Sequence, residues 1–357
     1  MRASPEFLKA HYLREYVRYL HSHLDKPIQD LKLDQDLSEE FRDHWAKLLP
    51  FKFRNAYKEQ PGLQPDIKDV VLSQIKQYPS NIQNLICKAD KIGMLTQVNT
   101  DGYTPNRKLN MAMGLASIHI SQILEARWKG LRQNKQMDPS FLWREISDVP
   151  VYSLQEICIV NKRQINQIGF LVATQVPSSR RDNKDEDRLD GSMLVLTRDL
   201  NHKVLFSMNV MNRHERTMAY HAELDWVFNQ LQEEIKRTGV TKVTDVDSVL
   251  NIILTLAYYF YNMMPLSRGS SAVAYSVALG VIMSIGRQVT GKMPNGKLLE
   301  MEAMLSGAPD VFILMSKQWM NIKRLNIPTS LLPKVYEAFP TTRSLIEVLN
   351  VNTDSCQ

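Results

Sequence analysis

The sequence predicts a mainly α-helical protein, a multi-helix globular bundle with a small hairpin or strand insertion in its middle. Three observations predict it. Leu224, Val227, Phe228, Leu231 and Ile235 recur at i, i+3, i+4, i+7 spacing, the signature of one buried helix face. Asp247–Met264 and Ser270–Ile285 are apolar all round, as suits helices at the centre of a bundle. Between Val151 and Asn212 the helical period gives way to β-branched runs. The chain has 357 residues, 44% hydrophobic and 23% charged, which is length for two or three domains and enough apolar content for a sizeable core. The expected organisation is an N-terminal helical region over 1–149, a strand-rich insertion over 150–210 with a charged loop at 177–191, a C-terminal helical domain over 211–350, and a tail at 351–357.

Ser4 and Pro5 form a helix start, N-cap followed by a proline at the first helical position. Leu8, Tyr12, Tyr16, Leu20 and Leu24 continue as one stripe until Pro27 stops it. Beyond a proline-punctuated stretch, helices are expected over Asp66–Tyr78, Asn81–Lys91 and a long segment carrying Leu109, Met113, Ala116, Ile120 and Leu124 to about Arg132. "VYSLQEICIV" and "QIGFLVATQV" read as strands, and "SMLVLTRDLNHKVLFSMNV" as a hairpin turning at Leu200, Asn201 and His202. The helical period returns from Arg213 and ends at Gly239. Further helices are expected at Leu298–Leu305, Pro309–Leu325 and Thr341–Leu349. No internal repeat is present, the 34-residue tetratricopeptide unit included.

A net charge of +6 and a pI near 9.0 are a small surplus for this length, so a solvated surface is expected rather than a nucleic-acid partner. Cys87, Cys158 and Cys356 are odd in number, far apart and without a C-x-x-C pair, which predicts reduced structural thiols. The first residues lack the basic and apolar regions of a signal peptide, favouring an intracellular protein. The apolar runs near Val249–Phe260 and Ala272–Ile285 are shorter than the roughly 20 residues a membrane span needs.

Several patterns have the outline of chemistry without its substance. "GRQVTGKM" from Gly286 fits the start of a phosphate-binding loop, but a helix precedes it and Met293 stands where a hydroxyl should bind magnesium; a helix C-terminus and a turn are expected instead. His221 and Glu223 are spaced as in zinc deaminases, yet no P-C-x-x-C follows. "DNKDEDRLDG" is acidic like a calcium loop, but Arg188 falls at a ligand position. No complete catalytic constellation, metal cluster or cofactor motif emerges, so a non-catalytic protein is expected.

The turn between the two apolar helices is richer. Pro265 ends the first helix, Gly269 permits positive φ, and Ser270 or Ser271 can cap the second. The free N–H groups of such a helix start, with Arg268 beside them, would suit phosphate, a nucleotide or another anion. The competing expectation is that Arg268 pairs with an internal acid, Asp225 or Glu223, while the serines only cap.

"PEFLKAHYLREYVRYLHSHLDKP", "DHWAKLLPF", "EQPGLQPDIKDV" and "MPLSRGSSAVAYSVALGVIMSIGRQVTGKMPNGKLLEMEAML" together resemble the region that follows the repeats in the tetratricopeptide repeat protein 13 family, plant suppressors of immune signalling among them. That resemblance implies a non-catalytic scaffold with protein partners and no catalytic residues to carry over. The segment 224–286 is also similar in layout to Fic-type nucleotidyl transferases, through Pro265 and Gly269. There Met264 replaces the catalytic histidine, Arg268 the acidic metal ligand and Ala272 the phosphate-binding arginine, which would leave a pseudoenzyme or anion-binding module.

Overall fold

The structure is a computed structural model that describes residues 24–27, 74–95, 107–131, 170–180, 188–198, 204–210, 213–239, 243–265, 270–294 and 297–356. The chain divides into two compact units, residues 88–332 and, from its two ends, residues 1–87 with 333–357.

The larger unit is a helical body with a small sheet. Its helices are α1 (Ser80–Met94, which begins in the other unit), α2 (Arg107–Leu131), α3 (His214–Thr238), α4 (Val243–Met263), α5 (Ser270–Ser284), α6 (Leu299–Leu305) and α7 (Pro309–Met320). Strands β1 (Phe170–Pro177), β2 (Arg188–Arg198) and β3 (Val204–Val210) form an antiparallel sheet in that order. Two three-residue strands, β4 (Arg287–Val289) and β5 (Ile322–Arg324), pair separately.

The predicted central helices are central. On α4, Val249, Ile253, Tyr259 and Tyr261 lose all exposure to solvent, and α3, α5, α6 and α7 all pack against it. The other face of α5 lies on α2, and Gly280 sets their spacing. A Cβ there would stand 2.7 Å from the Ile120 side chain and 2.9 Å from the Ser117 carbonyl, so only glycine allows this approach. One turn further along, the Trp128 indole N–H donates to Ser284 Oγ at 2.7 Å, giving a buried donor its acceptor. The stripe of α3 is buried as its spacing requires, and Gly239 closes the helix in a left-handed conformation with φ 61°.

In the sheet, Val172 pairs with Leu194 and Leu194 with Met208. The β1–β2 register slips between Ala173 and Gln175. Thr174 fills the gap, its hydroxyl donating to the Ser192 carbonyl at 3.0 Å and accepting from the Ser192 N–H at 2.8 Å.

Arg216 ties sheet to helices. It sits on the first turns of α3, is 5% exposed, and hydrogen-bonds to backbone carbonyls. Its Nε donates to the Asp190 carbonyl at 2.8 Å in β2, its Nη1 to Met263 O at 3.0 Å and its Nη2 to Asn262 O at 2.7 Å at the end of α4. The α4 C-terminus leaves carbonyls unpaired and carries the negative end of the helix dipole, so a buried cation belongs there. The guanidinium lies 4.6 Å from the Tyr220 ring centroid, and burial pulls its pKa below the ordinary value without discharging it.

Several sequence expectations need correction. The helix expected over Pro309–Leu325 ends at Met320, because Asn321 turns left-handed at φ 44° and the next three residues pair with β4. "GRQV" follows the end of α5 at Ser284 and begins with the expected turn at Gly286, but it continues as a strand, where pairing with β5 satisfies its backbone groups. The charged loop at 177–191 is shorter than expected, as β2 begins at Arg188. The described end of the expected Asp66–Tyr78 helix is a 3₁₀ turn at Ile75–Gln77. The predicted helix at the start of the chain, the "VYSLQEICIV" strand and the Leu200–His202 turn lie outside the described residues.

In the smaller unit, α8 (Val335–Ala338) leads to α9 (Thr342–Leu349). Thr341 and Ser344 form a reciprocal cap at the start of α9. Arg343 pairs with Asp25 through Nη2 at 3.0 Å, and backbone bridges join Pro27 to Thr341 and Gln74 to Asn352. The cysteines correct the expectation of free thiols: Cys87 and Cys356 form a disulfide. A pair separated by 269 residues leaves no local spacing signal to read.

Arg216→Met, which fills similar volume without the donors, is expected to cost about 3 kcal/mol or more, because backbone carbonyls in a dry site lose their partners together. Urea denaturation monitored by circular dichroism checks this, and a loss under about 1 kcal/mol would show that Arg216 is dispensable.

Candidate functional site

The candidate site is a groove on the helical body. It is lined by Pro177–Ser179, where the chain turns out of β1, by Trp226 and Val227 of α3, by Ile252 and Thr255 of α4, and by the start of α7 with Ile313. It encloses about 630 Å³. Trp226 is 37% exposed, whereas Leu224, Val227, Phe228 and Leu231 around it on α3 are buried. A half-covered indole beside aliphatic walls is a common anchor for a partner's apolar side chain.

The groove's polar end is built on Glu223, which is wholly buried. The Ser178 hydroxyl and the Arg180 Nε, at 3.0 Å, donate to its Oε1, and the Ser179 N–H donates to its Oε2 at 3.1 Å. The Tyr259 hydroxyl donates to the Pro177 carbonyl at 2.8 Å, so the Ser179 hydroxyl must be the donor in its contact with Tyr259. Burial holds the Tyr259 phenol well above its ordinary pKa and keeps it a neutral donor. Chemically this arrangement anchors the chain that leaves β1 to α3. Both Glu223 oxygens are engaged, and the hydroxyls of Ser178 and Ser179 are committed as donors to Glu223 and Tyr259. Among the described residues no group of three or more His, Cys, Asp or Glu is placed to hold a metal. No helix among them is long and apolar enough to cross a membrane.

The site residues predicted from sequence fare unevenly. Arg268 and Gly269 lie outside the described residues. Pro265 is buried directly after Met264, which takes φ 49°. Ser270 is buried at the first position of α5. The Ser271 hydroxyl, at the start of α5, donates to Glu300 Oε2 at 2.7 Å. Glu223, one of the acids expected as a partner for Arg268, has its oxygens taken by Arg180 and the two serines.

The groove itself escaped sequence reasoning because its walls come from segments up to 136 positions apart, Pro177 to Ile313. One signal was present. Arg216, Tyr220 and Glu223 continue the spacing of the Leu224–Ile235 stripe, and a charge falling on a buried stripe marks a polar contact inside the core.

Fold and site together define a mainly helical body with a small antiparallel sheet and a groove of about 630 Å³ beside a buried, hydrogen-bonded Glu223. The chain is related to tetratricopeptide repeat protein 13 of Homo sapiens, to which it is 37% identical over 438 aligned residues that take in 99% of this chain and 50% of that protein. It also matches Suppressor of RPS4-RLD 1 of Arabidopsis thaliana, 31% identical over 118 residues, 32% of this chain and 11% of that protein. The chain thus spans half or less of the curated relatives it matches. No family model matches it, and no solved structure does, so the likeness to Fic-type enzymes rests on Pro265 and Gly269 alone.

Glu223→Gln is expected to lower stability by about 2 kcal/mol, since it removes the charge from three hydrogen bonds in a buried site. Trypsin cleavage after Arg180 should accelerate with it. Unchanged cleavage would mean that Glu223 does not hold this loop.

Proposed function

We propose that this chain is a non-catalytic, protein-binding part of a tetratricopeptide-repeat scaffold, and that a partner docks an apolar side chain in the groove beside Trp226. The observation that carries the reading is Trp226 itself, a large aromatic left 37% exposed in a groove that Ile252 and Ile313 also line. Relationship to a protein named for its repeats supports protein partners, because such repeats assemble extended binding surfaces. The saturated Glu223 supports a binding role for the polar end, which shapes the groove without offering a base or nucleophile. The occupant is an extended peptide segment with one bulky apolar anchor, its flanking backbone N–H groups donating to the hydroxyl oxygens of Ser179 and Thr255, whose own protons go to Tyr259 and the Asn251 carbonyl.

Selection of a random peptide library on the intact chain tests this. Enriched peptides should share an aromatic or leucine anchor, and Trp226→Ala should weaken them by about 2 kcal/mol, roughly thirtyfold, with the melting temperature unchanged. Peptides that bind Trp226→Ala equally well, or no enrichment at all, would overturn the assignment.

A further inference from the structure

We propose that this protein matures in an oxidising compartment, where thiol–disulfide exchange joins Cys87 to Cys356 and latches the segment 351–356 onto α1. The surroundings of the pair, and not only its two sulfur atoms, support the assignment. The Cα atoms are 5.1 Å apart, inside the range a disulfide spans without moving the backbone. Cys87 is in the middle of α1, held on a regular helix, while Cys356 closes a short 3₁₀ turn over Asp354–Cys356 through its N–H to the Thr353 carbonyl at 2.9 Å. Three residues of the segment 351–356 turn inward. Val351, Thr353 and Cys356 are all buried, and Asn352 bridges to Gln74. The fold therefore delivers Cys356 to Cys87 by contacts independent of the bond, across a sequence separation of 269 residues.

The chemistry balances as two exchanges with a donor disulfide. The thiolate of one cysteine attacks the donor, forming a mixed disulfide and expelling one donor thiolate. The second cysteine, deprotonated, then attacks its partner's sulfur in the mixed disulfide, forming the Cys87–Cys356 bond and expelling the second donor thiolate. Two protein thiols lose two electrons and two protons, and one donor disulfide gains them. Dithiol–disulfide oxidants of this class are sustained in secretory and extracytoplasmic spaces, whereas glutathione and thioredoxin systems oppose them in the cytosol. A bond that closes so long a loop removes much of the unfolded chain's freedom, so it stabilises the unit made from the two ends of the chain, which no continuous stretch of sequence holds together.

The test is differential thiol labelling of the full chain in cells that express it natively. Free thiols are blocked with a light maleimide at lysis, the protein is then reduced, and newly freed thiols take a heavy maleimide. Heavy label should exceed light by roughly tenfold or more at both Cys87 and Cys356, as expected of a structural disulfide that the glutathione pool does not reduce. Cys356→Ser should move Cys87 to the light label and make the segment after Leu349 more protease-sensitive. Light label at both positions in the unmodified chain would overturn the proposal, and that result is decisive even if the serine variant fails to accumulate.

Discussion

The buried guanidinium of Arg216 is the contact on which the larger unit turns. It reaches into the end of α4 and into β2 at once, and it does so through backbone carbonyls. A cation desolvated to this degree is costly unless its donors are matched, and here the matching groups include the unpaired carbonyls that a helix end leaves behind. Because the acceptors are main-chain atoms, the arrangement depends on where the strand and the helix run rather than on a particular partner side chain. Seven residues further along α3, Glu223 does the complementary thing, gathering a backbone N–H, a hydroxyl and the Arg180 guanidinium into the bend after β1. One helix thus holds both ends of the sheet's attachment, a cation at one and an anion at the other, and the groove opens beside the second.

Much of this architecture is legible in the order of the amino acids. The Leu224–Ile235 stripe follows from a 3.6-residue period that reports which face is buried, the two central helices from runs that are apolar all round, and the strands around 170–210 from β-branched runs. Features that depend on distant pairing are not legible in this way. "IKR" at 322–324 reads as the tail of a helix until β4 offers it a ladder, and that ladder sets Arg287 against Arg324 from across two intervening helices. The disulfide is an extreme case, since two cysteines separated by 269 residues carry no periodic signal. The groove is hidden for the same reason: Trp226 is unexceptional on a helical wheel and gains its meaning only when Ile252 and Ile313 arrive from other helices.

The start of α5 shows how a polar group at a helix end is engaged by its neighbours. A serine at a helix start is a capable ligand group, and the Ser271 hydroxyl donates to Glu300 of α6. Glu223 and Ser178 follow the same logic, since their proximity would suggest chemistry if their capacity for hydrogen bonds were not filled by each other and by their neighbours. The relationship to tetratricopeptide repeat protein 13 covers nearly all of this chain and half of that protein.

If Arg216 couples the sheet to the end of α4, loosening it should loosen both together. Hydrogen exchange followed by mass spectrometry on wild type and Arg216→Lys tests this most directly, because lysine keeps the charge but cannot fork toward several carbonyls. Faster exchange is expected in two segments at once, 188–194 and 260–264, with the α2–α5 interface unchanged. Faster exchange in only one of them, or an even rise across every helix, would contradict the coupling.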